Sequence, residues 1–120
     1  MAGEPIDGQI LLLTAAKASV GPQRLPDLVD LVQADLEPRF DDYARQYEVA
    51  FEDADAAAFF VPDDHWETIG DRLGFDRRET DAVRRAHHEQ LTRRGRRDDR
   101  LSEFETALEI RDCVLIGRPA

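Results

Sequence analysis

The sequence predicts an all-α protein, a single compact domain of about six helices over residues 1–120. Apolar residues recur at steps of three and four along most of the chain. Three segments match a capping-box pattern, and Gly or Pro separates most of the resulting helical segments. A chain of 120 residues is long enough for one hydrophobic core and too short for two.

The first two helices are defined by their ends. Asp7 is expected to cap a helix that runs to Val20, where Gly21 and Pro22 stop it. Pro26 suits the first turn of the second helix. The apolar residues of this second helix are Leu28, Val29, Leu31, Val32 and Leu36. Pro38 then kinks the second helix or begins the next one.

Residues 38–60 are predicted to form one long helix, because this stretch has no Gly or Pro after Pro38. Its apolar stripe follows helical spacing and consists of Phe40, Tyr43, Tyr47, Phe51, Ala54, Ala58 and Val61. The alternative is that residues 57–61 form a short buried strand. A lone strand needs a partner, so this alternative implies a two-stranded element from residues 57–61 and 110–116.

Three helices in the second half are predicted to begin with capping boxes, in which the first side chain accepts backbone donors and the fourth reaches back. The boxes are Asp64 to Glu67, Asp76 to Glu79 and Ser102 to Glu105. Glycines are expected at or beyond the ends of these helices, and they are Gly74, Gly95 and Gly117.

The composition indicates a saline cytoplasm. The chain carries 16 basic and 26 acidic side chains, a formal net charge of −10, and Lys17 is its only lysine. Ten uncompensated charges repel one another in dilute buffer. Molar salt shortens the screening length to about 3 Å and so removes most of this repulsion. This composition resembles that of small proteins from salt-in halophiles, haloarchaea above all. High-GC codon usage is the competing explanation.

No segment predicts export or a membrane. The most apolar early stretch, Ile10 to Leu13, follows Glu4 and Asp7 rather than basic residues, and Lys17 interrupts it soon after. A spanning helix needs about 20 apolar residues. We therefore expect a cytoplasmic protein with no membrane partner.

One basic segment interrupts the acidic chain. Residues 72–100 hold 10 Arg against 6 acidic residues, whereas the flanking segments are both net acidic. Such asymmetry indicates an acidic partner, either a protein or DNA. The candidate binding residues are Arg77, Arg78, Arg84, Arg94, Arg96, Arg97 and Arg100.

Within this segment, residues 66–75 combine Trp66, Gly70, Gly74 and Phe75 in an order that suits two helices meeting at a tight turn. Residues 64–91 resemble the DNA-binding helix-turn-helix, and also the death-fold adaptor pattern, in which a Trp opens a helix that ends in Leu-Gly. The DNA resemblance implies two groups of contacts. Those to the groove or phosphates are Arg77, Arg78, Arg84 and Arg85, and those to the backbone are Arg93, Arg94, Arg96 and Arg97.

The same segment has a purely structural interpretation. Asp81, Arg85, Glu89 and Arg93 follow one another at steps of four, which places each acid next to an arginine on one helix face. Each such pair stabilises an exposed helix by about 0.2–0.5 kcal/mol without any ligand.

Catalytic and metal-binding motifs are not evident. His87 lies on the apolar stripe of its predicted helix and is expected in the core, and Cys113 is expected to be a small buried hydrophobe. Asp53 and Asp55 begin like a calcium loop, but the required Gly and Glu do not follow. We expect no enzyme activity, no cofactor and no metal.

The sequence thus predicts a non-enzymatic interaction or regulatory module of a halophile that binds an acidic protein partner through the Arg-rich corner. The alternatives are a helix-turn-helix transcriptional regulator, and a small enzyme or metal-binding protein with a scattered site. Tyr43, Tyr47 and residues 59–61 would favour a homodimer if their aromatic surface were exposed, unless the first helix covers it.

Overall fold

A computed structural model describes residues 5–18 and 20–118. The described residues form six α-helices, a short 3-10 turn at Glu37–Arg39 and three β-strands. In chain order they are α1 (Gly8–Ala18), α2 (Arg24–Leu36), α3 (Phe40–Gln46), β1 (Glu48–Glu52), β2 (Ala56–Pro62), α4 (His65–Leu73), α5 (Arg77–Arg97), α6 (Leu101–Leu108) and β3 (Arg111–Gly117). The fold is therefore α+β, and the prediction of an all-α domain is wrong.

The three strands form an antiparallel sheet in the order β1-β2-β3. Strand β2 pairs with β3 from Ala56 opposite Gly117 to Pro62 opposite Arg111. Strand β1 pairs with the other edge of β2, and its register shifts between Val49 and Phe51. The two-stranded alternative for residues 57–61 and 110–116 is thus present, extended by a third strand.

The prediction of one long helix over residues 38–60 is wrong, because residues 48–52 and 56–62 pair as strands of the sheet. Helix α3 ends at Gln46, and the backbone of the next residue, Tyr47, is extended. Asp53 then accepts hydrogen bonds from the backbone N–H groups of Asp55 and Ala56 at 2.8 and 3.0 Å, which closes the turn between β1 and β2. Residues 56–61 are all buried, as expected for a central strand that is covered on both faces.

Helices cover the aromatic residues of β2. Phe59 packs against Phe40 and Tyr43 of α3, and Phe60 packs against Phe104 of α6. Phe59, Phe60 and Tyr43 are buried. The exposed aromatic surface on which the homodimer prediction depended is therefore not present at these residues, and α3 and α6 cover them rather than the first helix.

Helix α5 is the central helix of the fold. It packs against α1, α2, α4, α6 and β3. Its inward-facing side chains have no solvent exposure, and they are Ala82, Val83, Ala86, His87 and Leu91. The prediction that His87 lies in the core is confirmed, as is the burial of Cys113 in β3.

Side chains from three helices occupy the outer edge of β3. The Trp66 indole Nε1 donates to the Cys113 carbonyl at 2.9 Å. The Gln33 amide donates to the Leu115 carbonyl at 2.7 Å and accepts from the Gly117 N–H at 2.9 Å. His87 accepts from the Leu115 N–H at 2.9 Å. These bonds replace a fourth strand, so this edge is closed to further strand pairing.

The three predicted capping boxes have different outcomes. The box at Asp76 and Glu79 is confirmed, with both reciprocal bonds at 2.9 Å. Asp64 precedes α4 but makes no side-chain cap, because its backbone is not in the extended conformation that capping requires. The box at Ser102 is wrong, since α6 begins at Leu101 and Ser102 already lies inside the helix.

Among the described helices, none has both the length and the hydropathy that crossing a bilayer requires.

Candidate functional site

Helices α4 and α5 meet at a corner built on two glycines. Gly74 ends α4 with a left-handed backbone conformation (φ +72°), and the Phe75 N–H donates to the Gly70 carbonyl at 2.9 Å. A Cβ atom at Gly70 would lie only 2.2 Å from Oγ1 of Thr80 on α5. The helices therefore approach more closely here than any residue with a side chain would allow.

Contacts from α2 and α3 position α4. The Tyr43 hydroxyl and Nε2 of His65 lie 2.6 Å apart, and Arg72 forms a bidentate ion pair with Asp35 of α2. Burial raises the pKa of Tyr43 to about 12 and lowers the pKa of His65. Both residues are therefore uncharged near neutral pH, and their contact fixes the start of α4 against α3.

A groove of about 470 Å³ lies at the corner. Trp66 and Phe75 contribute its aromatic surface, and Arg77 and Arg84 contribute its positive charges. Its carboxylates are Asp63, Glu67, Asp71, Asp76 and Asp81. The lining is thus net acidic, because three of its five carboxylates come from residues that precede the basic segment 72–100.

Arg84 is held within the protein rather than presented to a partner. It contacts Asp81 at 3.0 Å and Asp112 of β3 at 3.4 Å. Burial opposes its charge, but these two carboxylates outweigh that effect and raise its pKa. Burial also raises the pKa of the Asp112 carboxyl. Arg84 therefore serves chiefly to join α5 to the sheet.

Three further candidates at the end of α5 are also engaged. Arg94 bridges Asp53 and Asp98, with both contacts at 2.6 Å, and hydrogen bonds from Arg94 lower the pKa of both carboxyls. Arg97 contacts Asp98 at 3.2 Å, and Arg100 contacts Glu103 at 2.7 Å. These pairs stabilise the end of α5 and the start of α6.

The remaining candidates are Arg77, Arg78 and Arg96. All three are exposed, and none has a carboxylate within 4.0 Å among residues 5–18 and 20–118. Arg78 and Arg96 are separated by about 27 Å along the helix axis. The seven predicted residues are thus spread along α5 and the turn that follows it, and they do not form one continuous surface.

A second cavity, of about 360 Å³, lies between α1 and α5. Two residues of α1 line it, together with four residues of α5. They are Thr14 and Lys17 of α1, and Arg84, Arg85, His88 and Glu89 of α5. Sequence reasoning missed this site because its two halves are about 70 residues apart, and no local pattern indicates that α1 packs on α5.

No group of three or more His, Cys, Asp or Glu side chains in the described part of the chain is arranged to hold a metal ion.

These features define an α+β domain. Its central helix, α5, packs against the three-stranded sheet and meets α4 at a corner that depends on two glycines. The chain belongs to the family described as a domain of unknown function (DUF8048), which matches residues 4–118. Neither the curated proteins nor the solved structures contain a match to it.

Proposed function

We propose that this domain is a cytoplasmic, non-enzymatic interaction module that binds an acidic segment of a partner protein at the corner between α4 and α5. The observation that carries the proposal is the pair Arg77 and Arg78. Both are exposed at the first turn of α5, and among the described residues neither has a carboxylate within 4.0 Å. Unpaired neighbouring guanidiniums suit carboxylates on a partner.

The groove beside this pair supplies a second element of recognition. Arg77 lines the groove, and Phe75 is only half-buried there. A partner that places carboxylates on Arg77 and Arg78 can also place an apolar side chain on Phe75. Over the acidic part of the groove, the partner must present neutral or basic groups, because like charges would repel. A peptide segment of mixed charge meets these requirements.

Duplex DNA, the alternative partner, is supported less well by this geometry. Asp81 and Glu89 lie on the outer face of α5, so a duplex along this helix would meet carboxylates as well as guanidiniums. The phosphates of a duplex approaching Arg77 would also meet Glu67, Asp71 and Asp76. Molar salt further reduces affinity that depends on phosphate contacts.

Site-specific photocrosslinking tests the proposal. A photoreactive residue at position 67, where Glu67 is exposed on the groove and both arginines are retained, is compared with one at position 45, where Arg45 is exposed on α3 and pairs with Asp42. Lysate of the source organism is prepared at its own ionic strength. We expect position 67, and not position 45, to crosslink one protein, through a segment rich in Asp or Glu.

The identified partner is then purified and titrated. The double variant Arg77→Gln/Arg78→Gln should bind it at least about tenfold more weakly, as expected for the loss of charged hydrogen bonds, and Arg45→Gln should bind like the unmodified protein. Equal crosslinking at positions 67 and 45 would contradict the proposal. So would retention of a random duplex that depends on Arg77 and Arg78 in the same salt.

A further inference from the structure

Helix α1 presents an apolar face to solvent. Leu12 and Leu13, in the middle of this helix, are 62% and 61% exposed. Gln9 and Ala16 are also exposed, whereas the opposite side of the helix is buried. Positions 9, 12, 13 and 16 follow steps of three and four, so these four residues form one stripe along the helix. This outer stripe of α1 has the spacing by which one helix packs against another.

The charges that border this stripe are balanced, unlike those of the whole chain, whose net charge is −10. Lys17 is the only charged residue within α1. Beside the helix, Arg93 pairs with Asp7, and Arg85 lies with Glu89 next to Lys17. Two copies of an acidic chain repel each other least where an uncharged stripe is bordered by balanced charge. A strongly charged partner would find no matching charge on the stripe, so a second copy of this chain fits it better.

The outer stripe of α1 is also complementary to itself. A twofold axis between positions 12 and 13 relates two antiparallel α1 helices so that Leu12 lies opposite Leu13 of the second copy. The same axis places Gln9 opposite Ala16 of the second copy, a long side chain against a small one. The four leucines then meet at the centre of the contact, where each covers apolar surface that the single chain leaves exposed.

The ends of such a pair bring opposite charges together. Gly8 lies opposite Lys17 of the second copy, and among the described residues no atom lies within 4 Å of the place that a Cβ at Gly8 would occupy. That space leaves room for the lysine side chain. The Asp7 side chain, which is 48% exposed just before α1, is then within reach of the ammonium group. A parallel pair would instead bring Lys17 next to Lys17 and Asp7 next to Asp7, so charge favours the antiparallel orientation.

We propose that α1 is the contact surface of a homodimer, in which two copies pair antiparallel through the outer stripe of α1. The helix has 11 residues and is about 16 Å long. Such a contact is smaller than the roughly 800 Å² per partner of a typical stable complex, so the dimer forms reversibly and dissociates on dilution. Every described residue that lines the groove at the corner lies between positions 63 and 84. Pairing through α1 therefore does not depend on the proposed function of that corner.

Sedimentation equilibrium of the whole protein in about 1 M KCl, from about 10 μM to about 1 mM, measures this association. We expect a reversible equilibrium between monomer and dimer, and Leu12→Gln/Leu13→Gln should weaken it at least about tenfold. Urea unfolding should show that the double variant stays folded, because both leucines are exposed. Ile110→Gln is the matched control, since Ile110 is 76% exposed between α6 and β3, and it should dimerise like the unmodified protein. A monomer at every concentration, or equal weakening by Ile110→Gln, would overturn the proposal.

Disulfide crosslinking tests the antiparallel orientation. The only cysteine of the chain, Cys113, is buried, so Gln9→Cys and Ala16→Cys each introduce one accessible thiol. In the proposed pair, position 9 faces position 16 of the second copy, whereas two copies of either position are about 10 Å apart, too far for a disulfide. A mixture of the two variants should therefore crosslink faster than either variant alone. Equal or faster crosslinking within a single variant would overturn the proposal. So would a purified protein that stays monomeric while these thiols capture a different protein in lysate.

Discussion

Nδ1 of His87 accepts a hydrogen bond from the backbone N–H of Leu115 at a distance of 2.9 Å, in the interior of the protein. Because the backbone N–H is the donor, the ring is neutral and carries its proton on Nε2. That Nε2 has no hydrogen-bond partner in the described structure, and the ring lies edge-on to Trp66 with 4.8 Å between centroids. A core histidine on α5 thus completes the edge of β3.

This histidine makes stability depend on pH. Burial lowers the pKa of His87 from 6.5 to about 3. The unfolded chain therefore binds a proton at His87 between pH 6.5 and 3 that the folded chain excludes, so stability falls as pH falls through that range. From pH 7 to pH 5 the unfolding free energy of the unmodified protein should fall by about 2 kcal/mol more than that of His87→Gln.

Urea unfolding of the two proteins at both pH values measures this difference. His88→Gln is the matched control, because His88 is on the same helix and is only half-buried. Because His88→Gln retains the buried His87 ring, this control should still lose more unfolding free energy between pH 7 and pH 5 than His87→Gln does. If the unfolding free energies of the unmodified protein and His87→Gln fall by the same amount between pH 7 and pH 5, the pKa of the buried ring is not lowered.

The corner between α4 and α5 should not tolerate a methyl group at position 70. Gly70→Ala places a Cβ atom 2.2 Å from Oγ1 of Thr80, and relieving that overlap should cost about 1–3 kcal/mol of unfolding free energy. Combining Gly70→Ala with Thr80→Ala should recover part of the loss. Gly8→Ala, at a position with open space, should be neutral or stabilising by up to about 1 kcal/mol. Denaturant unfolding of the unmodified protein and these three variants measures the effects. Equal losses of unfolding free energy for Gly70→Ala and Gly8→Ala would disprove the close approach of α4 and α5.

Stability should rise with KCl because the net charge of −10 opposes compaction at low ionic strength. The screening length falls from about 10 Å at 0.1 M salt to about 3 Å at 1 M. Urea midpoints between these concentrations should therefore increase. Asp41→Asn/Glu105→Gln removes two exposed negative charges and should make the increase smaller. A midpoint that falls with KCl would indicate that the surface ion pairs, rather than net repulsion, dominate the electrostatics.

Features that depend on residues within about one helical turn could be predicted. The Asp7 side chain accepts from the Gln9 N–H at 2.8 Å, Asp76 and Glu79 form their capping box, and Gly74 adopts the left-handed turn. Each of these is set by side chains that reach their own backbone. The burial of His87 followed from its place on an apolar stripe.

The sheet could not be predicted with the same means. Residues 40–61 carry a helical spacing of apolar side chains, yet β1 and β2 are extended because β2 pairs with β3, about 50 to 60 residues further along the chain. Likewise, the candidate arginines could be located in the sequence, but not their partners. Arg94 pairs with Asp53 across 41 positions, and Arg84 pairs with Asp112 across 28.

The amino-acid order therefore established the charge of the protein, the ends of several helices and the glycine turn, since these follow from composition and from contacts between near neighbours. The strand state of residues 48–62 and 111–117, the two arginines that stay available at the corner, and the cavity that joins α1 to α5 emerged from folding. Each depends on contacts between segments that are distant in the sequence, and such contacts produce no periodic pattern of residues.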